Sequence, residues 1–334
     1  MGRIQSIQAL RFIAAALVIL CHAYPQAKFG AVGVDIFFVI SGFIISRVMS
    51  GKSPREFLRA RVVRIYPIYW VCAVPTALIA IHIGAATVPR TLTSITLWPV
   101  FGSEFLQPYL VLGWTLSFEM LFYACATLVL VDRRALWLLG LAYPLCLLGA
   151  FTTGAAVLRF VGNPLIAEFL MGVCIGSFAS ARKPATGVFA IAIAAVLIAA
   201  SNADRLYLPA NSFDLAAPDR VLAWGLPAAM LVWGFLQLNG AKWRLLPYLG
   251  DASYSIYLTH STALLLLPFL PWPLRAAAAV AFGMGVFRYV ERPLLNALKH
   301  RRSSTAEALA PSPHEEAVGN LGGKPVPVGH VHAR

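Results

Sequence analysis

The chain has 334 residues, of which 59% are hydrophobic and 12% are charged, and its formal net charge is +13. Ordinary soluble domains carry about 25% charged residues, so this composition excludes a water-soluble fold of this length. The apolar content also excludes disorder over most of the chain. The excess of basic residues predicts no nucleic-acid partner, because basic residues of membrane proteins collect in cytoplasmic loops.

Ten apolar stretches are long enough to cross a bilayer, which takes about 20 mostly apolar residues per helix. They lie near 7–25, 33–50, 65–83, 113–131, 135–152, 164–181, 185–201, 220–238, 251–271 and 274–290. A shorter apolar stretch at 92–106, broken by Pro99, predicts an interfacial or re-entrant helix. The predicted fold class is therefore an all-α transmembrane helix bundle of about ten spans.

Basic residues gather at alternate connections between these stretches. This set consists of Arg3, Arg11, Lys52, Arg55, Arg59, Arg61, Arg64, Arg133, Arg134, Arg182, Lys183, Lys242, Arg244, Lys299, Arg301 and Arg302. The opposite connections carry fewer basic residues, so the positive-inside rule predicts that both termini lie in the cytoplasm. An even number of spans agrees with that orientation.

The last part of the chain changes in composition. Residues 1–300 are predicted to form one membrane-embedded domain, whereas 301–334 contain four prolines and several glycines without apolar periodicity. This composition predicts a disordered cytoplasmic tail. The five cysteines lie in or beside apolar stretches and form no CxxC pair, so we predict buried apolar cysteines and no metal site.

Ionisable residues inside membrane spans are costly and are candidates for function. Arg11 and His22 lie eleven residues apart on the first span, which puts them on nearly the same helix face and about 16 Å apart. The alternative is that Arg11 reaches the headgroups and His22 caps the span. Asp35 opens the second span as a helix-start carboxylate or as a group that orients a nearby histidine. Ser41 and Gly42 are expected to serve close helix packing.

Three arginines in six residues, Arg59, Arg61 and Arg64, form a compact anion site in the second connection. The guanidinium group suits bidentate phosphate contacts, although the same cluster also suits a topology signal that binds anionic headgroups.

Two further polar groups lie within later spans. Glu119 lies among aromatic residues in the fourth span and needs a partner, for which His22 and Arg11 are the obvious candidates. His260, in the ninth span, is expected to be a structural, hydrogen-bonded histidine.

Several short motifs occur in a fixed order along the apolar part of the chain. They are Gln8-Ala9-Leu10-Arg11 followed by His22, the segment 34–43, Arg61-Val62-Val63-Arg64-Ile65-Tyr66-Pro67, the segment 114–123 with Glu119, the segment 253–260, and Glu291-Arg292-Pro293. In these motifs the sequence resembles the acyltransferase-3 family of integral membrane O-acyltransferases over roughly residues 3–300. It is similar to the short, stand-alone type that decorates exopolysaccharide or O-antigen.

The resemblance implies transfer of an acyl group, expected to be acetyl, from acyl-CoA to a hydroxyl of an envelope or extracellular polysaccharide. It implies a lipid bilayer, acyl-CoA and a carbohydrate acceptor as partners, and a multi-pass location in a bacterial inner membrane. The implied catalytic residues are His22, Arg11, Glu119 and Asp35, and the implied donor-binding residues are Arg59, Arg61 and Arg64.

Within this scheme, His22 would act as general base on the acceptor hydroxyl or briefly carry the acyl group. Glu119 or Asp35 would fix its tautomer, and Arg11 would stabilise charge on the thioester oxygen or anchor the donor. The alternative function for a chain with buried charges and about ten spans is a polytopic transporter or glycan flippase, and a polytopic scaffold is a further alternative.

Overall fold

The computed structural model describes residues 4–102, 104–178, 183–207, 218–238 and 245–298. Fifteen α-helices and one antiparallel pair of two-residue strands account for most of them. Their bounds are α1 Gln5–Ala23, α2 Val32–Val48, α3 Pro54–His82, α4 Val88–Thr96, β1 Val100–Phe101, β2 Glu104–Phe105, α5 Gly113–Val131, α6 Ala135–Thr153, α7 Ala156–Val161, α8 Ile166–Ser177, α9 Pro184–Ala200, α10 Ala203–Leu206, α11 Pro218–Arg220, α12 Leu226–Gln237, α13 Leu245–Asp251, α14 Ser253–Leu266 and α15 Trp272–Val286.

Short segments of other helix types extend some of these elements. A 3₁₀ turn, Lys28–Ala31, precedes α2, and π-helical turns at Val221–Gly225 and Phe287–Glu291 adjoin α12 and α15. The predicted tail, 301–334, lies outside the described residues. So do seven of the basic residues that indicate orientation: Arg3, Arg182, Lys242, Arg244, Lys299, Arg301 and Arg302.

Six segments among the described residues are long and apolar enough to cross a membrane. They are Gln5–Ala23, Lys28–Val48, Pro54–His82, Gly113–Val131, Ala135–Thr153 and Ala156–Ser177. The helix Pro184–Ala200 is apolar but shorter. The all-helical class is therefore confirmed, whereas the count of ten spans and the location of the termini stay predictions.

The third helix begins earlier than the apolar pattern predicts. A span was expected at 65–83 after a basic loop, but α3 begins at Pro54 and runs without a break to His82. Ser53 and Glu56 form a capping box at its start, and Pro54 occupies the first turn, where a missing N–H costs nothing. The expectation of a loop is wrong, and the basic cluster lies on the first turns of a helix.

The stretch predicted as a re-entrant or interfacial helix at 92–106 is only partly helical. Helix α4 ends at Thr96, and Leu97 takes a left-handed conformation with φ of 60°. The strands β1 and β2 then form the small hairpin. The helix ends before Pro99, because a residue that precedes a proline disfavours helical geometry.

Helices α2 and α8 pack at backbone distance through glycines. A Cβ atom on Gly42 would lie 2.0 Å from the carbonyl oxygen of Phe169, and one on Gly172 would lie 2.0 Å from that of Val39. Small residues allow such close approach between membrane helices. The packing role predicted for Gly42 is confirmed.

The outer surface of the bundle is apolar. Helix α6 buries only Ala150 and exposes large side chains such as Trp137, Leu141 and Leu148, and α9 exposes Phe189. A continuous apolar exterior of this kind suits contact with lipid tails rather than water. Together with the six candidate spans, it makes the chain an integral, multi-pass membrane protein.

Candidate active site

A partly open cavity of about 110 Å³ lies between α1, α2, α3, α5 and α14. Its walls are apolar except for a group of polar and charged side chains that face one another. These are Arg11, Ser41, Arg61, Arg64, Thr115, Glu119, Tyr123, Ser253, Tyr254 and Tyr257. The structure thus brings together four residues predicted from the sequence: Arg11, Arg61, Arg64 and Glu119.

Helix periodicity explains which arginines reach the cavity. Arg61 and Arg64 are three residues apart on α3 and therefore share a face. Arg59 lies two residues before Arg61, points elsewhere, and is exposed outside the cavity lining. The predicted three-arginine site is consequently a two-arginine site at the cavity, with Arg11 of α1 as the third cation.

Glu119 has partners other than those expected. Its carboxylate accepts a hydrogen bond of 3.1 Å from the Ser41 hydroxyl and another from the Tyr123 hydroxyl. Tyr123 lies one helical turn further along α5, on the same face. The sequence offered His22 and Arg11 as partners of Glu119. Arg11 shares the cavity and interacts electrostatically with the carboxylate, whereas no contact joins Glu119 to His22 among the described residues. Ser41, interpreted as a packing residue, orients the carboxylate.

Arg64 forms an ion pair with Glu291, which is completely buried. The Ser255 hydroxyl donates a second hydrogen bond to Glu291, at 2.5 Å. The guanidinium group of Arg64 also lies over the ring of Tyr254. In the sequence, Glu291 stands out only as part of the Glu291-Arg292-Pro293 motif. No local pattern there predicts that it lies beside α3.

Arg11 and Arg61 form fewer polar contacts than Arg64. Arg11 donates one hydrogen bond, at 3.5 Å, to Gln8, and Arg61 lies over the ring of Tyr123 with its Nε atom unpartnered. Neither forms an ion pair among the described residues. Both guanidinium groups therefore line the cavity without a counter-ion among the described residues, an arrangement that suits an anionic ligand.

Asp35 lies apart from this cavity lining. Both its oxygens accept hydrogen bonds from Arg220, at 3.0 Å from Nε and 2.7 Å from a terminal nitrogen. Both side chains are buried, and the buried Glu168 lies beside Asp35. Among the described residues no contact joins Asp35 to a histidine, so the expected orienting contact is absent.

His22 lies at the end of α1, exposed, and does not line the cavity. Its Nδ1 atom is 2.8 Å from the Val18 carbonyl oxygen. A carbonyl only accepts, so in neutral His22 the proton is on Nδ1 and the lone pair is on Nε2. A backbone carbonyl, rather than Glu119 or Asp35, therefore sets the tautomer of this histidine.

His260 and Tyr257 lie between His22 and the cavity. The His22 and His260 rings meet edge to face with centroids 4.9 Å apart, and His260 is 5.8 Å from the ring of Tyr257. Tyr257 lines the cavity and its hydroxyl is 3.0 Å from the hydroxyl of Thr115. The cavity is thus joined to His22 through two aromatic side chains.

Together, the apolar exterior, the internal cation-lined cavity and the histidine at one end of the bundle define a polytopic membrane protein with a polar site inside it. The family model of the acyltransferase-3 group, described as an acyltransferase domain, matches residues 4–289. The chain belongs to this family and is an acyltransferase, which confirms the family indicated by the sequence motifs.

Named relatives agree with that assignment. The exopolysaccharide production protein ExoZ of Rhizobium meliloti (strain 1021) is 36% identical over 82% of this chain and 92% of its own length. A protein named as a membrane-bound transacylase, BcsY of Komagataeibacter xylinus, is 27% identical over 78% of this chain and 72% of its own. The acyltransferase MdmB of Streptomyces mycarofaciens is 25% identical over 77% and 78%, respectively. No solved structure matches the chain significantly.

Proposed function

We propose that this acyltransferase moves an acetyl group from acetyl-CoA to a hydroxyl group of an envelope or extracellular polysaccharide. The observation that carries the proposal is the cavity that presents Arg11, Arg61 and Arg64 at one end and reaches Tyr257, behind His22, at the other. The name of the relative from Rhizobium meliloti, an exopolysaccharide production protein, supports the polysaccharide acceptor.

The charges around the cavity suit an acyl-CoA donor. A second, more open cleft is lined by Gln8, Arg11, Arg64, Asp251 and Phe287, so it shares two arginines with the cavity. Donor phosphates would contact the guanidinium groups from this cleft, and the apolar walls would accept the pantetheine arm. Arg59, exposed at the start of α3, is proposed to contact the donor before it enters.

The chemical step uses the free nitrogen of His22. Its Nε2 atom accepts the proton of the acceptor hydroxyl, and the resulting oxygen nucleophile attacks the thioester carbonyl carbon. A C–O bond forms, the C–S bond breaks, and the CoA thiolate takes the proton back from the imidazolium. In the second form of the proposal, His22 first carries the acyl group itself.

Arg11 and Glu119 are proposed to serve the donor. Arg11, about 16 Å from His22 along α1, anchors the donor through charge-assisted contacts with its phosphates. Glu119, held by Ser41 and Tyr123, balances part of the positive charge of the three arginines. The catalytic contribution of Asp35 is proposed to be indirect, through the position that it and Arg220 give to the first turns of α2.

The orientation predicted by the positive-inside rule completes the proposal. With ten spans and both termini in the cytoplasm of a bacterial inner membrane, the cleft at Gln8 opens inward and His22 faces outward. The donor is then bound from the cytoplasm, and the acceptor is met at the outer side.

The base-labile O-acyl content of envelope glycans tests the proposal in cells that lack the gene. We expect wild-type protein to restore the esters and His22→Ala at equal protein level to fail. His82→Ala is the matched control, because His82 is another exposed histidine at a helix end and lies outside the cavity lining. Full ester content with His22→Ala would remove His22 from the mechanism, and glycans without any difference would contradict the acceptor class.

A further inference from the structure

His260 is a buried histidine that is not one of the reacting groups in the proposed acyl transfer. Its side chain is completely buried on α14, and its Nδ1 atom is 2.6 Å from the Tyr257 carbonyl oxygen. Because a carbonyl only accepts hydrogen bonds, Nδ1 carries the proton of the neutral ring. The lone pair is therefore on Nε2.

That second nitrogen has no hydrogen-bond partner among the described residues. Leaving a buried nitrogen unpaired costs free energy, and an apolar side chain of similar shape would avoid the cost. When a buried polar group at a functional site is left without a hydrogen bond, a catalytic role is one explanation of the unpaired group.

His22 is the neighbour of His260 that takes part in the proposed chemistry. The His260 ring is in edge-to-face contact with His22, at 4.9 Å between centroids, and the contact crosses from α14 to α1. Aromatic pairs of this geometry restrict ring orientation. Among the described residues, the Nδ1 hydrogen bond to Val18 is the other contact that holds His22, which is exposed at the end of α1.

We propose that His260 is a positioning residue for acyl transfer, which holds the His22 ring and supplies an electron-rich imidazole beside the imidazolium that forms when His22 takes the proton. This inference rests on the proposed role of His22 as the base. His260 itself need not exchange a proton, because its own proton stays on Nδ1, hydrogen-bonded to the Tyr257 carbonyl oxygen. The lone pair on the unpaired Nε2 gains a favourable electrostatic interaction only when His22 is protonated and carries a positive charge.

Two substitutions separate the parts of this role. The His260→Asn amide nitrogen takes the place of Nδ1 and keeps the hydrogen bond to Tyr257, but it removes Nε2 and the ring. The longer His260→Gln side chain puts a polar group near the Nε2 position. We expect His260→Asn to lower kcat about 10- to 100-fold, as for a misplaced catalytic group, with KM for acetyl-CoA and glycan unchanged. We expect His260→Gln to recover part of that loss.

Thr259→Ala is the control, since Thr259 is also buried on α14 and, in the part of the chain that the structure describes, its hydroxyl donates to the Ser255 carbonyl of the same helix alone. It should leave kcat near the wild-type value. Thermal unfolding midpoints of all variants are measured alongside, so that a loss of folded protein is not counted as a loss of kcat.

The decisive measurement is His260→Asn in the His22→Ala background. If His260 acts through His22, it has no further effect on the residual rate there, because coupled residues are not additive. Multiplicative losses, or wild-type kcat for His260→Asn alone, would overturn the inference. Full activity of His22→Ala would instead contradict the proposed function, whatever His260 does.

Discussion

At the scale of single residues, the arginines near the start of α3 differ in what surrounds them. Arg59 is exposed, Arg61 faces the cavity with a free Nε atom, and Arg64 is paired with buried Glu291. One sequence pattern therefore contains one peripheral cation, one that lines the cavity without an ion pair among the described residues, and one that joins α3 to the π-helical turn after α15.

Arg61→Gln should weaken acyl-CoA binding about tenfold or more, because a charge-assisted contact of roughly 1.5–3 kcal/mol is lost. Stability should change little, since Arg61 forms no ion pair among the described residues. Equilibrium binding of acetyl-CoA to purified protein measures the effect, and Arg59→Gln is the matched control with a small expected change. Equal affinity in wild type and Arg61→Gln would show that the cluster is only a topology signal.

Arg64→Met should lower the free energy of unfolding by about 3–5 kcal/mol, because it leaves Glu291 buried without its cation. The double variant Arg64→Met with Glu291→Met should recover most of this loss. Denaturation in detergent compares the four proteins. If the double variant is as unstable as the sum of the two single ones, the two residues are not energetically coupled.

The sequence predicted which charged residues lie at the cavity better than it predicted their hydrogen-bond and ion-pair partners. Arg11, Arg61, Arg64 and Glu119 were identified because charges inside apolar stretches stand out. The pair Arg64–Glu291 spans 227 positions and the pair Asp35–Arg220 spans 185. Such pairs depend on how helices pack, and no local pattern encodes that.

At the scale of helices, apolar runs located the long spans well, but they placed the start of α3 eleven residues late. The apolar pattern begins only at 65, whereas the capping box at Ser53 and Glu56 begins the helix. Helix starts follow from capping side chains, and membrane spans follow from lipid thickness. The start of a helix and the start of its membrane span need not coincide. The basic segment predicted as a loop is therefore helical, and Arg61 and Arg64 on it line the cavity.

The glycine contact between α2 and α8 gives a prediction at this scale. Gly172→Leu should destabilise the protein by about 1–3 kcal/mol or more, because its side chain would overlap the backbone of α2. Gly140→Leu is the matched control, since nothing lies within 4 Å of a Cβ built on Gly140 of α6. Thermal unfolding in detergent measures both, and equal midpoints would show that the helices separate easily.

At the scale of the whole molecule, the polar groups divide between the two ends of the bundle. The arginines of α1 and α3 occupy the end predicted to be cytoplasmic, and His22 occupies the other. Arg11 and His22 are separated by about 16 Å along one helix. Transfer between a donor on one side and an acceptor on the other then requires the acyl group to pass Tyr257 and His260.

Orientation is tested by reporters fused to each terminus of the full chain. A fluorescent protein that matures only in the cytoplasm should be bright at both ends, and a phosphatase active only outside should be silent at both. Opposite results at the two termini would mean an odd number of spans and would place the arginine cavity and His22 differently with respect to the membrane.

The central claim, that the donor and acceptor are used from opposite sides, is tested most directly in proteoliposomes of one orientation. Purified protein is inserted so that the end carrying Arg11 faces inward, and radiolabelled acetyl-CoA, which does not cross membranes, is enclosed or added outside. The glycan acceptor is always outside. We predict label on the glycan only with enclosed acetyl-CoA, at the full rate with wild-type protein and at a small residual rate with His22→Ala. Label that appears only when both substrates are outside would contradict the account.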